Sequence, residues 1–147
     1  MTPDDVRRMG VEILTALETC SLYNIIHRDI KEGNLFLNSR GTFKLGDFGI
    51  ARELSGSCMS LSMRGTPAYV APEVYSGKAY NATVDIYSLG ILMYKLLNDG
   101  RYPFFPPFPN SIDMDDTDKA FVLRMQGAIA PPPSHGDNAL KAAVLKA

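Results

Sequence analysis

The apolar positions of this chain change period several times, and each change marks a different element. Val6, Met9, Ile13 and Leu17 recur at helical spacing, with Gly10 and Leu14 alongside, while Arg7, Arg8, Glu12 and Glu18 take other positions. This predicts an amphipathic helix on a core, in which Met9 is packing. Thr2-Pro3-Asp4-Asp5 supplies its start: a hydroxyl N-cap, proline at the first helical position and acids facing the positive dipole end. Leu35-Phe36-Leu37 and Thr42-Phe43-Lys44-Leu45 are strand-like runs around Asn38-Ser39-Arg40-Gly41, whose turn chemistry predicts a small β-hairpin. Residues 51–66 turn Ser- and Gly-rich without a sustained period, a loop long enough that function explains it better than structure. Residues 84–97 are apolar nearly all round, as in a buried central helix, and Asn98-Asp99-Gly100 ends it. Asp85, at the beginning of so apolar a helix, needs a partner.

Beyond it, Pro103, Pro106, Pro107 and Pro109 alternate with Phe104, Phe105 and Phe108, which predicts an extended, aromatic-rich connection. Residues 113–126 resume a helical pattern with Arg124 late in it. Pro131-Pro132-Pro133 is a rigid joint, and residues 137–147 open a last amphipathic helix that stops at Lys146-Ala147 without a cap, which reads as a truncated end. The expected class is mainly α with small β-hairpins.

Composition narrows the partners. At 147 residues the chain suits one domain, burying roughly 70% of its unfolded surface. Lys+Arg of 15 against Asp+Glu of 16 leaves a net charge of -1, so no global field favours nucleic acid or an anionic membrane. Cys20 and Cys58 lack zinc-like spacing and suggest no disulfide framework, in keeping with a reducing cytoplasm. The acidic start is unlike a signal peptide, and no apolar run reaches membrane-spanning length.

The chemistry concentrates in His27-Arg28-Asp29-Ile30-Lys31-Glu32-Gly33-Asn34, followed by Asp47-Phe48-Gly49. An acid, a cation and an amide lie at fixed offsets on one loop, and the hairpin would bring a second acid beside them. Alone, Asp29 and Lys31 make an ordinary surface pair worth about 0 to 1 kcal/mol, and Asp47-Phe48-Gly49 a turn. Joined in order by Ala71-Pro72-Glu73 and by Asp85 five residues before Gly90, the motifs are far more specific. The chain resembles the large lobe of a eukaryotic-type Ser/Thr protein kinase over nearly its whole length, with loop wording similar to bacterial members.

That resemblance implies ATP and Mg2+ (or Mn2+) as cofactors and protein Ser/Thr hydroxyls as acceptors. It makes Asp29 the catalytic acceptor that orients the hydroxyl, and Lys31 the cation on the transferring phosphate. Asn34 and Asp47 become the metal ligands, as a hard divalent ion prefers oxygen. Phe36 would floor the adenine pocket or serve as an ordinary strand residue. His27 packs beneath the site near Phe48, Asp85 accepts backbone N–H groups of His27 and Arg28, and Thr66 bonds to Asp29 and Lys31. Residues 47–73 correspond to the activation segment, where a phosphate on Ser55, Ser57, Ser60 or Ser62 would pair with Arg28. Residues 113–126 lie where substrates and regulators dock.

Two family features are unmatched in these residues: the small lobe with its Gly-rich phosphate loop, and the arginine that pairs with Glu73. The expectation is therefore that residues 1–147 alone transfer phosphate weakly or not at all, and that an exposed lobe face self-associates. The other reading is a non-catalytic scaffold or binding module derived from a kinase lobe.

Overall fold

Helix α1 (Pro3–Leu22) begins in a capping box: Asp5 N–H donates to Thr2 Oγ1 at 3.2 Å and Thr2 N–H to Asp5 Oδ2 at 3.0 Å. It buries Val6, Met9, Gly10, Ile13, Leu17 and Cys20, one apolar stripe, and turns Val11 and Leu14 outward. The computed structural model of the chain describes residues 1–53, 65–104 and 124–125. The four loop serines, Cys58, most of the Pro/Phe connection, most of the helix expected over 113–126 and the helix expected over 137–147 lie outside the described residues.

After α1 come strand β1 (Ile25–Ile26), strand β2 (Leu35–Leu37), strand β3 (Phe43–Leu45), strand β4 (Arg52–Glu53), the short helix α2 (Pro72–Tyr75) and helix α3 (Thr83–Leu97). Single 3-10 turns stand at Glu32–Asn34 and Pro67–Tyr69. The described architecture is thus helices with small antiparallel sheets.

Beyond Thr83 at its start, no residue of α3 is exposed, as its nearly all-round apolarity required. It packs on α1 through a core that includes Met9, Ile13, Leu17, Leu89 and Leu92. Its C-terminus closes when Gly100 N–H donates back to Lys95 O at 2.9 Å over the left-handed Asp99. The hairpin β2–β3 forms with Leu35 opposite Leu45 and Leu37 opposite Phe43. Asn38 Oδ1 accepts from Arg40 N–H at 3.0 Å and Thr42 N–H at 2.9 Å, shaping the turn. Glu12 on α1 accepts from Phe43 N–H at 2.7 Å, and Arg8 Nη1 donates to Gly41 O at 2.8 Å, so the hairpin is pinned to the helix.

One boundary differs from the sequence pattern. Arg52 and Glu53, read as the start of a long loop, are a strand pairing with Ile26 and Ile25. Two residues cannot display a period, and the pairing partner is distant in sequence. The bridge matters because β1 runs directly into His27. Ile26 joins Ala71, Tyr80 and Val84 in a second small core behind that loop. Among the described residues, no helix is long and apolar enough to cross a membrane.

Candidate functional site

Residues 27–34 leave β1 between two buried isoleucines, Ile26 and Ile30, so that the backbone between them must turn over the core. Arg28 takes a φ of +68°, an uncommon conformation for a long side chain. Asp85, 2% exposed near the start of α3, holds it there. Its Oδ2 accepts from His27 N–H at 2.7 Å and its Oδ1 from Arg28 N–H at 2.8 Å. Burial pushes the Asp85 carboxyl above the usual carboxylate range, and the two N–H donors work against that rise.

The His27 side chain is fully buried, with its ring edge-on to Phe48 at 4.7 Å between centroids. Nε2 lies 3.0 Å from Gly46 O, which can only accept, so Nε2 carries the proton and Nδ1 receives Asp29 N–H at 3.4 Å. Both ring nitrogens are therefore engaged in holding backbone.

Around Asp29 three donors converge. Lys31 Nζ lies 2.7 Å from Oδ2, Asn34 Nδ2 donates to Oδ2 at 2.9 Å, and Thr66 Oγ1 donates to Oδ1 at 3.1 Å. Lys31 Nζ also donates to Thr66 Oγ1 at 3.3 Å, closing a ring of three side chains. Burial by itself would raise the Asp29 carboxyl, but the hydrogen bonds from Lys31, Asn34 and Thr66 outweigh it and hold the group below its usual range. Asp29 is an anion at neutral pH.

Asn34 is 3% exposed, and its Nδ2 also donates to Asp29 O at 2.7 Å, so its Oδ1 remains as the acceptor. Asp47 follows Gly46, whose N–H donates to Asn34 O at 3.0 Å, so the backbone sets Asp47 beside the Asn34 segment. Asp47 is exposed at φ +56°, with Oδ1 accepting Gly49 N–H at 3.2 Å. A divalent magnesium fits this donor set: one amide oxygen and one carboxylate are hard ligands, and magnesium commonly completes its shell with phosphate oxygens and water. No cluster of three or more acidic, His or Cys groups forms among the described residues.

Phe36 is 53% exposed, its ring edge lying 2.7 Å from where a Cβ on Gly46 would stand. Arg28 directs Nε to Ile50 O at 2.8 Å and Nη2 to the same carbonyl, while Nη1 is buried without a hydrogen-bond partner among the described residues. Glu73 opens α2. Burial, helped by Glu73 and opposed by Arg124, pushes the Tyr87 phenol up to about 12.

The structure thus gathers Asp29, Lys31, Asn34 and Thr66 in direct contact, ties His27, Arg28 and Asp85 beneath them, and leaves Phe36 and Glu73 apart. Sequence reasoning passed over Glu32, Tyr69, Lys95 and Arg124. Arg124, 7% exposed, donates to the carbonyls of Pro67, Ala68 and Val70 at 3.0, 2.8 and 3.1 Å, clamping the turn that follows Thr66. Nothing local could have marked it, since its acceptors lie more than 50 residues away. Lys95 had a signal: an ammonium in an apolar buried helix needs a counter-charge.

The approach to Thr66 is equally constrained. Gly65 has a φ of +114°, and a Cβ there would lie 2.6 Å from Arg28 O. Gly65→Ala is expected to cost about 1–3 kcal/mol from backbone strain, with further loss from the clash, read as a lowered urea midpoint. An unchanged midpoint would show that the turn relaxes freely.

Comparison with known proteins agrees with this geometry. Residues 1–141 match the family model described as the protein kinase domain. The chain is 40% identical over 112 residues to the SNF1-like protein kinase ssp2 of Schizosaccharomyces pombe, covering 75% of this chain and 19% of that protein. It is 36% identical over 148 residues to the RAC-beta serine/threonine-protein kinase of Rattus norvegicus, covering 99% of this chain and 29% of that protein. With the cGMP-dependent protein kinase, isozyme 1, of Drosophila melanogaster it shares 43% over 97 residues, covering 66% of this chain and 12% of that protein. The chain therefore spans less than a third of the length of each of these relatives.

Proposed function

The chain belongs to the protein kinase domain family, and from that premise we propose that the protein carrying it transfers the γ-phosphoryl group of ATP to Ser or Thr hydroxyls of proteins, with residues 1–147 supplying large-lobe machinery. The observation that carries this reading is the Asp29 carboxylate, kept anionic by Lys31, Asn34 and Thr66 at once.

In the reaction the substrate oxygen bonds to the γ-phosphorus, the bond from phosphorus to the bridging oxygen breaks, ADP leaves, and the hydroxyl proton passes to Asp29. A carboxylate held below its usual range is a weak base. Its use is in orienting the hydroxyl, which suits a loose transition state that demands little proton abstraction before bond breaking. Lys31, already 2.7 Å from Asp29, would place its ammonium on the transferring phosphate. Asn34 Oδ1 and the Asp47 carboxylate would hold magnesium, which when bound neutralises phosphate charge. The open ring of Phe36 would lie against adenine. Arg28 Nη1, buried and unpaired among the described residues, is the group that a phosphate on the 47–73 segment would engage.

The test is transfer of labelled phosphate from ATP to a generic basic protein by the protein carrying this chain, followed by identification of the labelled amino acid. Phosphoserine or phosphothreonine, lost on chelation of magnesium, is the expected result. A folded, ATP-binding preparation that labels nothing would favour the scaffold reading instead.

A further inference from the structure

Lys95, the basic residue of the last turn of α3, lies within a polar cluster outside the Asp29 ring. Its Nζ lies 2.5 Å from Glu32 Oε1, and 4.8 Å from the centroid of the Tyr102 ring. The Tyr69 hydroxyl donates to Glu32 Oε2 at 2.5 Å and accepts from Lys95 Nζ at 3.3 Å. Tyr102 OH also lies 3.3 Å from it. Burial works against the charge on both Lys95 and Glu32, but their contact with each other, together with Tyr102 at Lys95 and Tyr69 at Glu32, outweighs it and favours the ion pair. Burial and the Glu32 contact push the Tyr69 phenol far up, so its proton stays in place to donate.

Each element that meets at this cluster also carries one arm of the Asp29 site. Glu32 follows Lys31 and shares a 3-10 turn with Asn34. Tyr69 closes the turn capped by Thr66, with Tyr69 N–H donating to Thr66 O at 2.9 Å and Ser88 Oγ of α3 donating to Tyr69 O at 2.8 Å. The α3 helix carries Asp85. Thr66 reaches Asp29 from 37 residues away, so its hydroxyl is only as well placed as the turn behind it. That turn is tied to the Lys31–Asn34 segment through Tyr69, Glu32 and Lys95.

We infer that Lys95, through Glu32 and Tyr69, is a positioning residue that keeps the Thr66 hydroxyl on Asp29 and so holds the acceptor side of the site in register. The catalytic meaning rests on the phosphoryl-transfer reading above, whereas the coupling itself does not. Misplacing a group by about 1 Å through a distant change can cost roughly 100-fold in rate.

The test uses the full chain with carbon-13 methyl-labelled threonine. Thr66→Val assigns the Thr66 methyl signal, and Asp29→Asn gives its position once the carboxylate is gone. Glu32→Gln combined with Lys95→Met removes the ion pair without changing net charge. That double variant is expected to move the Thr66 methyl toward its Asp29→Asn position while the Thr15 and Thr19 methyls of α1 stay in place. The charge swap, Glu32→Lys with Lys95→Glu, is expected to restore most of the original position. An unmoved Thr66 overturns the inference, as does a general movement of all three methyls that the swap fails to reverse. Should the double variant not fold, Tyr69→Phe removes only the linking hydroxyl and must move Thr66 in the same direction, or the coupling is absent. In the protein carrying the chain, the double variant is expected to lower kcat by about 10- to 100-fold with KM for ATP within about twofold. A wild-type protein that transfers no phosphate would overturn the kinase reading, and the Thr66 result would still stand.

Discussion

Replacing Asp29 by asparagine is expected to lower phosphoryl transfer by about 100- to 10,000-fold, the range typical of a positioned acid–base group, with the fold intact. The geometry explains why so conservative a change should be so costly. Asp29 accepts from an ammonium, an amide and a hydroxyl, and Lys31 and Asn34 both aim at Oδ2. An asparagine can offer one acceptor oxygen, so its own NH2 must face either the Thr66 hydroxyl or the Lys31 and Asn34 donors. The anion that orients a substrate hydroxyl is lost in either orientation. Initial rates of labelled phosphate transfer, compared at equal ATP occupancy, check this. A loss of less than about tenfold, or about 1.4 kcal/mol of barrier, would remove Asp29 from the centre of the mechanism. Because its carboxyl already lies below the usual range, the rate is not expected to follow Asp29 titration near neutral pH.

Asp85→Ala is expected to destabilise the fold strongly. Two backbone N–H groups, those of His27 and Arg28, would lose their acceptors at 2.7 and 2.8 Å in a buried setting. Each unsatisfied donor costs about 1–3 kcal/mol, giving roughly 2–6 kcal/mol against a typical domain stability of about 5–15 kcal/mol. Relief of burying a carboxyl recovers part of this. Asp85→Asn keeps one acceptor and is expected to fall between the two. Urea unfolding of the three proteins at neutral pH measures the series. Near-equal midpoints for wild type and Asp85→Ala would mean that water satisfies the two amides and that Asp85 does not hold the loop. Phosphoryl transfer should fall with the midpoint, since the left-handed Arg28 leads directly into Asp29.

Several elements are legible in the sequence itself. The stripe of Val6, Met9, Ile13 and Leu17 is the buried face of α1, the Thr2 cap forms as its residue types require, and residues 84–97 are nearly coextensive with α3. The hairpin around Asn38 and Gly41 appears where turn chemistry placed it. These succeed because periodicity and capping are local, acting within a few residues. The demand that Asp85 find a partner was also legible, since an acid in an apolar helix has no other stable option. Its partners became readable only through resemblance to a family.

What the sequence by itself determined is the inventory: which helices bury which face, and which acid, cation and amide share the 27–34 loop. Tertiary structure alone decided which of them act as a unit. Thr66 joins Asp29, a contact that the family resemblance implied but no local pattern showed, Lys95 neutralises Glu32, Arg124 caps three carbonyls, and Arg52 and Glu53 become a strand. Each of these contacts spans roughly 26 to 63 residues of chain. Side-chain type sets what a residue can bond to, but a bond across such a separation is set by where the packed helices and turns put its partner. The opening loop therefore carries its chemistry in the sequence, and the register of that chemistry in the contacts between α3, the 67–69 turn and the loop itself.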